Sequence, residues 1–285
     1  MRKIKTTIIF ILLIILVLSL YGCSGNPLND LKSKTVQELE YLDTEIVELI
    51  DELSGISSEN YIVASRQAAI GKTSQNLIEV NNIDDSKSDT NSDNANDTIT
   101  VMNMVPDTIL AADSNDIDWA SIESQIEEVH SSWSVILLDL YSLNVNGSNI
   151  LAFGNTLDSC IISIKDKNKK DSLTNLAKLY SYIPMYLKDI PGESTTQNIK
   201  LTKSYILSSY SLVYQADWTD AAAGMASADA AFKNVQTDID YIKNKEYQVN
   251  KTYVLLKDLQ KSVALKDDKV FYMKYQNTME SLNSM

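Results

Sequence analysis

The stretch WASIESQIEEVHSSWSVILLDLYSL, residues 119–143, decides the fold. Its apolar residues recur three and four positions apart, at Trp119, Ile122, Ile126, Val129, Trp133, Ile136, Leu140 and Leu143. Because an α-helix turns once every 3.6 residues, this spacing places them all on one face. The stretch therefore predicts a long amphipathic helix that packs against other helices, and Gly147 with Ser148 predicts its end.

The same period continues through the C-terminal half of the chain, between short polar connections. Further helices are predicted near residues 153–164, 173–190, 195–216, 217–242, 253–263 and 272–282. Pro184 should kink or split one of them, because proline removes a backbone hydrogen bond and clashes with the preceding turn. Since short connections favour antiparallel neighbours, we predict an all-α domain over residues 115–285, an irregular antiparallel bundle of about seven helices.

A helical repeat is an alternative to the irregular bundle. The segment Lys203-Ser204-Tyr205-Ile206-Leu207 recurs 48 residues later as Lys251-Thr252-Tyr253-Val254-Leu255. This offset is close to the period of some two-helix repeats. The glycine and proline landmarks of the tetratricopeptide pattern are missing, so that particular repeat is not predicted.

A second amphipathic pattern occupies residues 34–70. Thr35 and Glu38 have the spacing of a capping box, which predicts a helix start near Thr35. The apolar seam that follows needs a partner surface, and it consists of Leu39, Leu42, Ile46, Leu49, Leu53 and Ile56. We therefore predict a separate N-terminal helix that precedes the bundle.

The first residues have the features of an export signal. Arg2, Lys3 and Lys5 precede an apolar run over residues 8–18, which has the length of a signal-peptide core and is too short to span a bilayer. Leu20-Tyr21-Gly22-Cys23 then resembles the lipobox of bacterial lipoproteins. The resemblance implies a signal peptide over residues 1–22, a lipidated Cys23 that begins a tether over residues 23–33, and a location at the extracytoplasmic face of the cell membrane.

Residues 71–114 differ in composition from the helical parts. Residues 84–97 contain one alanine and otherwise only polar or charged side chains. Such a stretch buries too little apolar area to offset the entropy of ordering, so we predict an Asn/Asp/Ser-rich disordered linker that sets the reach of the bundle. Lipobox, linker and helical body together resemble uncharacterised helical lipoproteins of Gram-positive bacteria, a likeness that implies no particular activity.

Composition argues against several classes of function. One His and two Cys leave no multi-histidine metal site, disulfide framework or iron–sulfur cluster within the chain. A net charge of −13 argues against binding nucleic acid, whose phosphates attract cations. His130 has no second histidine to complete a di-iron site, and Cys160 lies in an apolar stretch that predicts a buried thiol. We therefore expect no catalytic residue, metal or cofactor.

The tyrosine and tryptophan content is the remaining indication of a binding surface. The chain has 15 Tyr and 3 Trp against 4 Phe. Both side chains join apolar area to a hydrogen-bonding tip, which suits binding grooves, although in a bundle they ordinarily form core and rim. The candidate binding surface consists of Tyr180, Tyr182, Tyr186, Tyr210, Tyr214 and Trp218.

These features favour a non-catalytic interaction or binding module, anchored to the membrane by lipid, with an envelope protein or peptide as its partner. One alternative is a receptor that holds a small apolar or aromatic molecule, for which a closed pocket lined by tyrosines is the expected sign. Another is a cell-wall hydrolase, which requires two or three polar residues converging in a cleft.

Overall fold

The computed structural model describes residues 27–54 and 117–285, which form nine α-helices, one short 3₁₀ helix and no strand. The α-helices are α1 (Pro27–Ser54), α2 (Trp119–Ser142), α3 (Gly147–Lys165), α4 (Lys169–Tyr180), α5 (Tyr182–Asp189), α6 (Ser194–Tyr214), α7 (Trp218–Gln236), α8 (Ile239–Ser262) and α9 (Asp268–Asn283). The 3₁₀ turn Val263–Leu265 lies between α8 and α9. The predicted all-α helical bundle is confirmed, and the predicted signal peptide and linker lie outside the described residues.

The helices form two groups of four. In the first group α1 packs on α2, α2 on α3, α3 on α4, and α4 returns to α1. In the second, α6 to α9 pack in the same closed order, and α9 returns to α6. Contacts of α4 and the short α5 with α6 join the groups around one continuous apolar core.

Closed rings distinguish this arrangement from the repeat alternative. In a solenoid each repeat contacts only its sequence neighbours, whereas here α9 packs against α6 and α4 against α1. The two copies of the recurring sequence also differ in environment, because Lys203 is buried and Lys251 is exposed. The described residues are therefore a bundle.

Side chains at the helix starts explain most of the boundaries. Asn and Asp are favoured as N-caps because their side-chain oxygens accept hydrogen bonds from otherwise unpaired N–H groups. Such caps precede α2, α3, α4, α7, α8 and α9, and they are Asp118, Asn146, Asn168, Asp217, Asp238 and Asp267. The helix that carries the long apolar stripe therefore starts at Trp119, as predicted.

Pro184 divides a predicted helix into α4 and α5, as expected. The first helix ends at Tyr180 and the next begins at Tyr182, with Pro184 at its third position. The first N–H groups of a helix have no partner within it, so the missing N–H of proline breaks no bond there.

Helix α1 differs from the prediction in two ways. It begins at Pro27, where the fixed φ of proline suits a first helical position, so residues 27–33 form helical turns where a tether was predicted. The Thr35 hydroxyl donates to the carbonyl of Leu31 within the helix and caps nothing. The seam from Leu39 to Leu53 is fully buried in the common core, so α1 belongs to the bundle and is not a separate segment.

This placement also corrects the expected role of the linker. Residues 55–116 connect α1 to α2, and these two helices pack directly against each other. The linker therefore joins two parts of one bundle and does not set the distance of the bundle from an anchor at the N-terminus.

Small residues allow α6 and α7 to approach closely. Ala221 is fully buried, and a Cβ atom on Gly224 would overlap Oγ of Ser209 on α6. That hydroxyl donates a hydrogen bond to the carbonyl of Ala221 at 3.1 Å.

In the described part of the chain, no helix is both long enough and apolar enough to cross a membrane.

Candidate functional site

Four polar side chains meet inside the bundle, where α1, α4 and α6 pack together. We call them the buried cluster: Asp43 from α1, Tyr180 from α4, and Lys200 and Lys203 from α6. Lys203 is 1% exposed and Tyr180 is 0% exposed. Lysine is almost never buried to this extent without a partner, so the cluster must supply its own compensation.

Asp43 supplies that compensation as the central acceptor. Nζ of Lys203 donates to both of its carboxylate oxygens, at 2.6 and 2.7 Å. Nζ of Lys200 donates to Oδ2 at 2.9 Å, and the hydroxyl of Tyr180 donates to Oδ1. Lys200 also donates to Glu40, which brings the local charge to balance. The cluster therefore fixes α1 against both α4 and α6.

The protonation states follow from this geometry. Burial alone would raise the pKa of Asp43, but the ammonium groups of Lys203 and Lys200 hold it below its usual range. Burial lowers the pKa of Lys203 to about 8, although Asp43 acts in the opposite direction. Burial and the Asp43 charge raise the pKa of Tyr180, so its hydroxyl remains a donor.

A cleft of about 430 Å³ lies beside the buried cluster, between α1, α6 and α9. Val47 and Met279 are its apolar lining, and among the described residues Lys200 is its only cationic lining residue. The acidic lining residues are Glu40, Asp43, Glu48, Asp51 and Glu280. Since Lys200 and Lys203 form ion pairs only with Glu40 and Asp43 among the described residues, the cleft carries an excess of negative charge.

Asp51 is the half-buried carboxyl of the cleft. It accepts hydrogen bonds from the Tyr275 hydroxyl at 3.2 Å and from Nε2 of Gln276 at 3.5 Å. Burial raises its pKa to about 7, and Glu48 adds to the rise, while these hydrogen bonds and Lys203 oppose it. Burial also raises the pKa of Tyr275, so the phenol stays a donor. Asp51 therefore gains or loses its proton close to neutral pH.

Several hydrogen-bond acceptors of the cleft have no donor in the described part of the protein. Gln276 is 7% exposed, and its Oε1 accepts no hydrogen bond from the described residues. Glu48 and Glu280 are exposed and form no ion pair within residues 27–54 and 117–285. These acceptors border the open cleft, where they are available to donors from outside the chain.

The structure corrects the predicted tyrosine surface. Four of its six members lie in the core, namely Tyr180, Tyr182, Tyr186 and Tyr210. Tyr182 and Tyr186 pack with Trp133 and Phe153, and the Tyr186 hydroxyl donates to the carbonyl of Asn149. Large rings on the apolar faces of helices fill the core of a bundle and are not available to a partner.

The other predicted residues lie away from the cleft. Tyr214 is 39% exposed and lies under the ammonium of Lys169, and Trp218 is half-buried at the first turn of α7. His130 is exposed, and Cys160 is fully buried, as predicted for the thiol. Cys23 lies outside the described residues. No group of His, Cys, Asp and Glu suited to a metal ion occurs in the described residues.

Sequence reasoning missed the buried cluster and the cleft. One signal was present: Lys203 lies four residues after Ile199 and four before Leu207, both of which are buried. A lysine at a core position of an apolar stripe indicates a buried partner of opposite charge. Its partner lies on α1, 160 residues away, and no local pattern identifies it.

Comparison with protein-family models, with curated proteins and with solved structures finds no match to this chain.

Proposed function

We propose that this protein is a non-catalytic binding module of the cell envelope, anchored by lipid at Cys23 on the extracytoplasmic face, which holds its partner in the cleft between α1, α6 and α9. The single observation that carries the binding role is the set of acceptors without donors in an open cleft, above all Gln276. The resemblance of Leu20-Tyr21-Gly22-Cys23 to a lipobox supports the location.

The walls of the cleft are held in place by the buried cluster. Asp43 on α1 is bonded to Lys200 and Lys203 on α6, and Tyr275 on α9 is bonded to Asp51 on α1. These bonds link the three helices that form the walls. A site held by rigid helices loses little conformational freedom on binding, which favours affinity.

The character of the lining favours a polar partner. Carboxylates and the two amides of Gln276 and Asn283 line the cleft, and the buried tyrosines fill the core elsewhere. A small apolar or aromatic molecule would leave those acceptors without donors, at a cost of about 1–3 kcal/mol for each buried group. The cleft therefore supports binding of a polar envelope component better than the apolar-receptor alternative.

Site-specific photocrosslinking in intact cells tests the proposal. A photoreactive amino acid at Glu280 should give crosslinked products, whereas the same amino acid at Glu246, an exposed residue of α8 outside the cleft, should give none. Mass spectrometry of the N-terminal peptide should find an acylated Cys23 as the first residue. Equal crosslinking from both positions would contradict a binding role for the cleft, and an unmodified Cys23 would contradict the anchor.

A cell-wall hydrolase is the second candidate, favoured by Asp51. A cleft carboxyl with a pKa of about 7 is in the range of a general acid, and Glu48 lies one helical turn away. We place it second because Glu48 is exposed, so apolar surroundings do not isolate the pair from water. Release of soluble fragments from purified cell walls by the native protein, and its loss in Asp51→Asn, would establish the hydrolase instead.

A further inference from the structure

We propose that the cleft binds a primary alkylammonium group, with the nitrogen against Asp51 and Gln276 and the aliphatic stem along Val47 and Met279. This inference rests on the proposed function, since it names the chemistry of the partner that the cleft receives. It depends on the match between the acceptors, the charge and the apolar wall of one cavity.

The acceptors at the cleft match the donors of an ammonium group. A primary ammonium carries three N–H donors and no acceptor. Gln276 offers Oε1, which has no donor among the described residues, and Asp51 offers a carboxylate held by hydrogen bonds from one side. Glu48 or Glu280 at the rim can accept the third bond, since neither is engaged in an ion pair with a described residue.

The charges of the cleft select a cation over neutral or anionic groups. Lys200 and Lys203 form their ion pairs with Asp43 and Glu40, and Lys203 acts on Asp51 only from a distance. Among the described residues, Glu48, Asp51 and Glu280 therefore have no cationic side chain in contact. An anion would be repelled, and a neutral alcohol would satisfy acceptors without balancing charge.

The apolar lining of the cleft accommodates the aliphatic stem of the alkylammonium ligand. Val47 is 5% exposed and Met279 is 2% exposed, and both line the cleft beside the acidic groups. An alkyl chain of a few methylenes gains about 0.8 kcal/mol for each methylene that it buries. The volume of about 430 Å³ suits a small aliphatic amine or a single lysine side chain, so the source is either a free diamine or a peptide.

Binding should release a proton near neutral pH. The raised pKa of Asp51, about 7, means that the empty cleft holds a partly protonated carboxyl, and a bound ammonium favours the ionised form. Affinity should therefore increase as the pH rises through 7. The other titratable groups facing the cleft or Asp51 are Glu40, Asp43 and Glu48 on α1, Lys200, Lys203 and Tyr210 on α6, and Tyr275 and Glu280 on α9.

Isothermal titration of the full-length chain in mild detergent tests the inference. The probes are n-butylammonium and 1,5-diaminopentane, with 1-butanol and butyrate as controls of similar length, and a glycine-lysine-glycine peptide blocked at both ends. Both amines should bind at least tenfold more tightly than either control. Tighter binding by the diamine than by the peptide assigns a free diamine, and tighter binding by the peptide assigns a lysine side chain. Equal affinities for amine and alcohol would overturn the inference.

Three substitutions test where the amine binds in the cleft. Glu280→Gln and Gln276→Met should each weaken the binding of n-butylammonium about tenfold, and Asp51→Asn should also remove the pH dependence. Glu246→Gln makes the same charge change on an exposed surface of α8 and should leave affinity unchanged. An equal loss in Glu246→Gln and Glu280→Gln would show nonspecific attraction and overturn the site.

Failure of the inference can be told apart from failure of the proposed function. Crosslinks from Glu280 without any binding of amines would reject the alkylammonium and retain the binding module. Absence of both would reject the two proposals together.

Discussion

Asp43 on α1 and Lys203 on α6 form a buried ion pair between residues 160 positions apart in the chain. Both carboxylate oxygens of Asp43 are engaged by the same ammonium group. The pair lies where an apolar contact would be expected, so its geometric requirement selects one position of α1 along α6. A purely apolar seam would tolerate a shift by one helical turn more easily.

Removal of the Asp43 charge should destabilise the fold strongly. In Asp43→Asn, Lys203 loses its counter-ion in a fully buried position, and such a loss costs about 3–5 kcal/mol. Urea unfolding followed by circular dichroism measures the change. The matched control is Asp258→Asn, which breaks the more exposed pair between α8 and Lys274 on α9 and should cost less than about 1 kcal/mol.

A double-mutant cycle separates the pair from its surroundings. Asp43→Asn combined with Lys203→Met leaves neither unpaired charge of the pair, so the loss should be smaller than the sum of the two single losses. Additive losses, or equal losses in Asp43→Asn and Asp258→Asn, would show that the buried pair does not fix α1.

Asp51 should make stability fall as the pH rises from about 4 to 7. Its pKa is about 7 in the folded protein against an ordinary value of 3.8, so within this window the folded state binds more protons than the unfolded state. The contribution of Asp51 to the free energy of unfolding is complete below its ordinary pKa and is lost as the pH rises through 7. The slope is at most about 1.4 kcal/mol per pH unit.

Comparison of the native chain with Asp51→Asn isolates this effect. The amide does not titrate, so the difference between the two free energies of unfolding should change in favour of the variant between pH 4 and pH 7. Asp43 has the opposite effect on the pH dependence of stability, because its pKa is depressed in the folded protein. The stabilisation by Asp43 is lost only as the pH falls below about 4. A constant difference across the window would contradict the assignment to Asp51.

Gly224→Ala should destabilise the protein, although alanine is the better helix former by about 1 kcal/mol. The added methyl group would overlap Oγ of Ser209 and displace its hydrogen bond to Ala221. We expect a net loss of about 1 kcal/mol in thermal or urea unfolding. The double variant Gly224→Ala with Ser209→Ala removes the obstructing hydroxyl and should be more stable than Gly224→Ala alone. If the double variant is no more stable than Gly224→Ala, then the backbone of α6, and not the Ser209 hydroxyl, limits how closely α7 approaches.

Cys160 should be inert in the folded protein. The thiol is fully buried and burial raises its pKa, so the reactive thiolate is suppressed. In a Cys23→Ser variant Cys160 is the only cysteine, and a chromogenic disulfide reagent should react with it only after denaturant is added. Rapid reaction without denaturant would show that α3 opens locally.

Apolar periodicity was sufficient to predict the class of fold. The stripe from Ile122 to Leu140 and the seam from Leu39 to Leu53 are buried as their spacing predicts, because the hydrophobic effect acts on the same residues that set the period, and Trp119 at the start of the stripe is partly buried. Pro184 divides α4 from α5 for an equally local reason. The start of α1 was misplaced because Thr35 has the sequence of a cap, whereas Pro27 begins the helix.

The candidate site could not be predicted in the same way. Asp51 and Tyr275 are 224 positions apart, so their contact depends on how α1 and α9 assemble and not on any local pattern. Charged residues in amphipathic helices are ordinarily assigned to solvent, and that rule misplaces Lys203. The tyrosines were misplaced for the converse reason, because their polar tips suggest exposure while their rings dominate burial.

Helix α1 forms one wall of the cleft and, under the proposed lipid anchor at Cys23, also attaches the molecule to the membrane. With the proposed acyl chains on Cys23, residues 24–26 alone separate the lipid from Pro27, a fully extended length of about 14 Å. Mechanical tension between the membrane and the cell wall would then pass through α1, and its grip on the bundle is the seam together with Asp43. A force large enough to extract that helix would dismantle the cleft and release the bound partner.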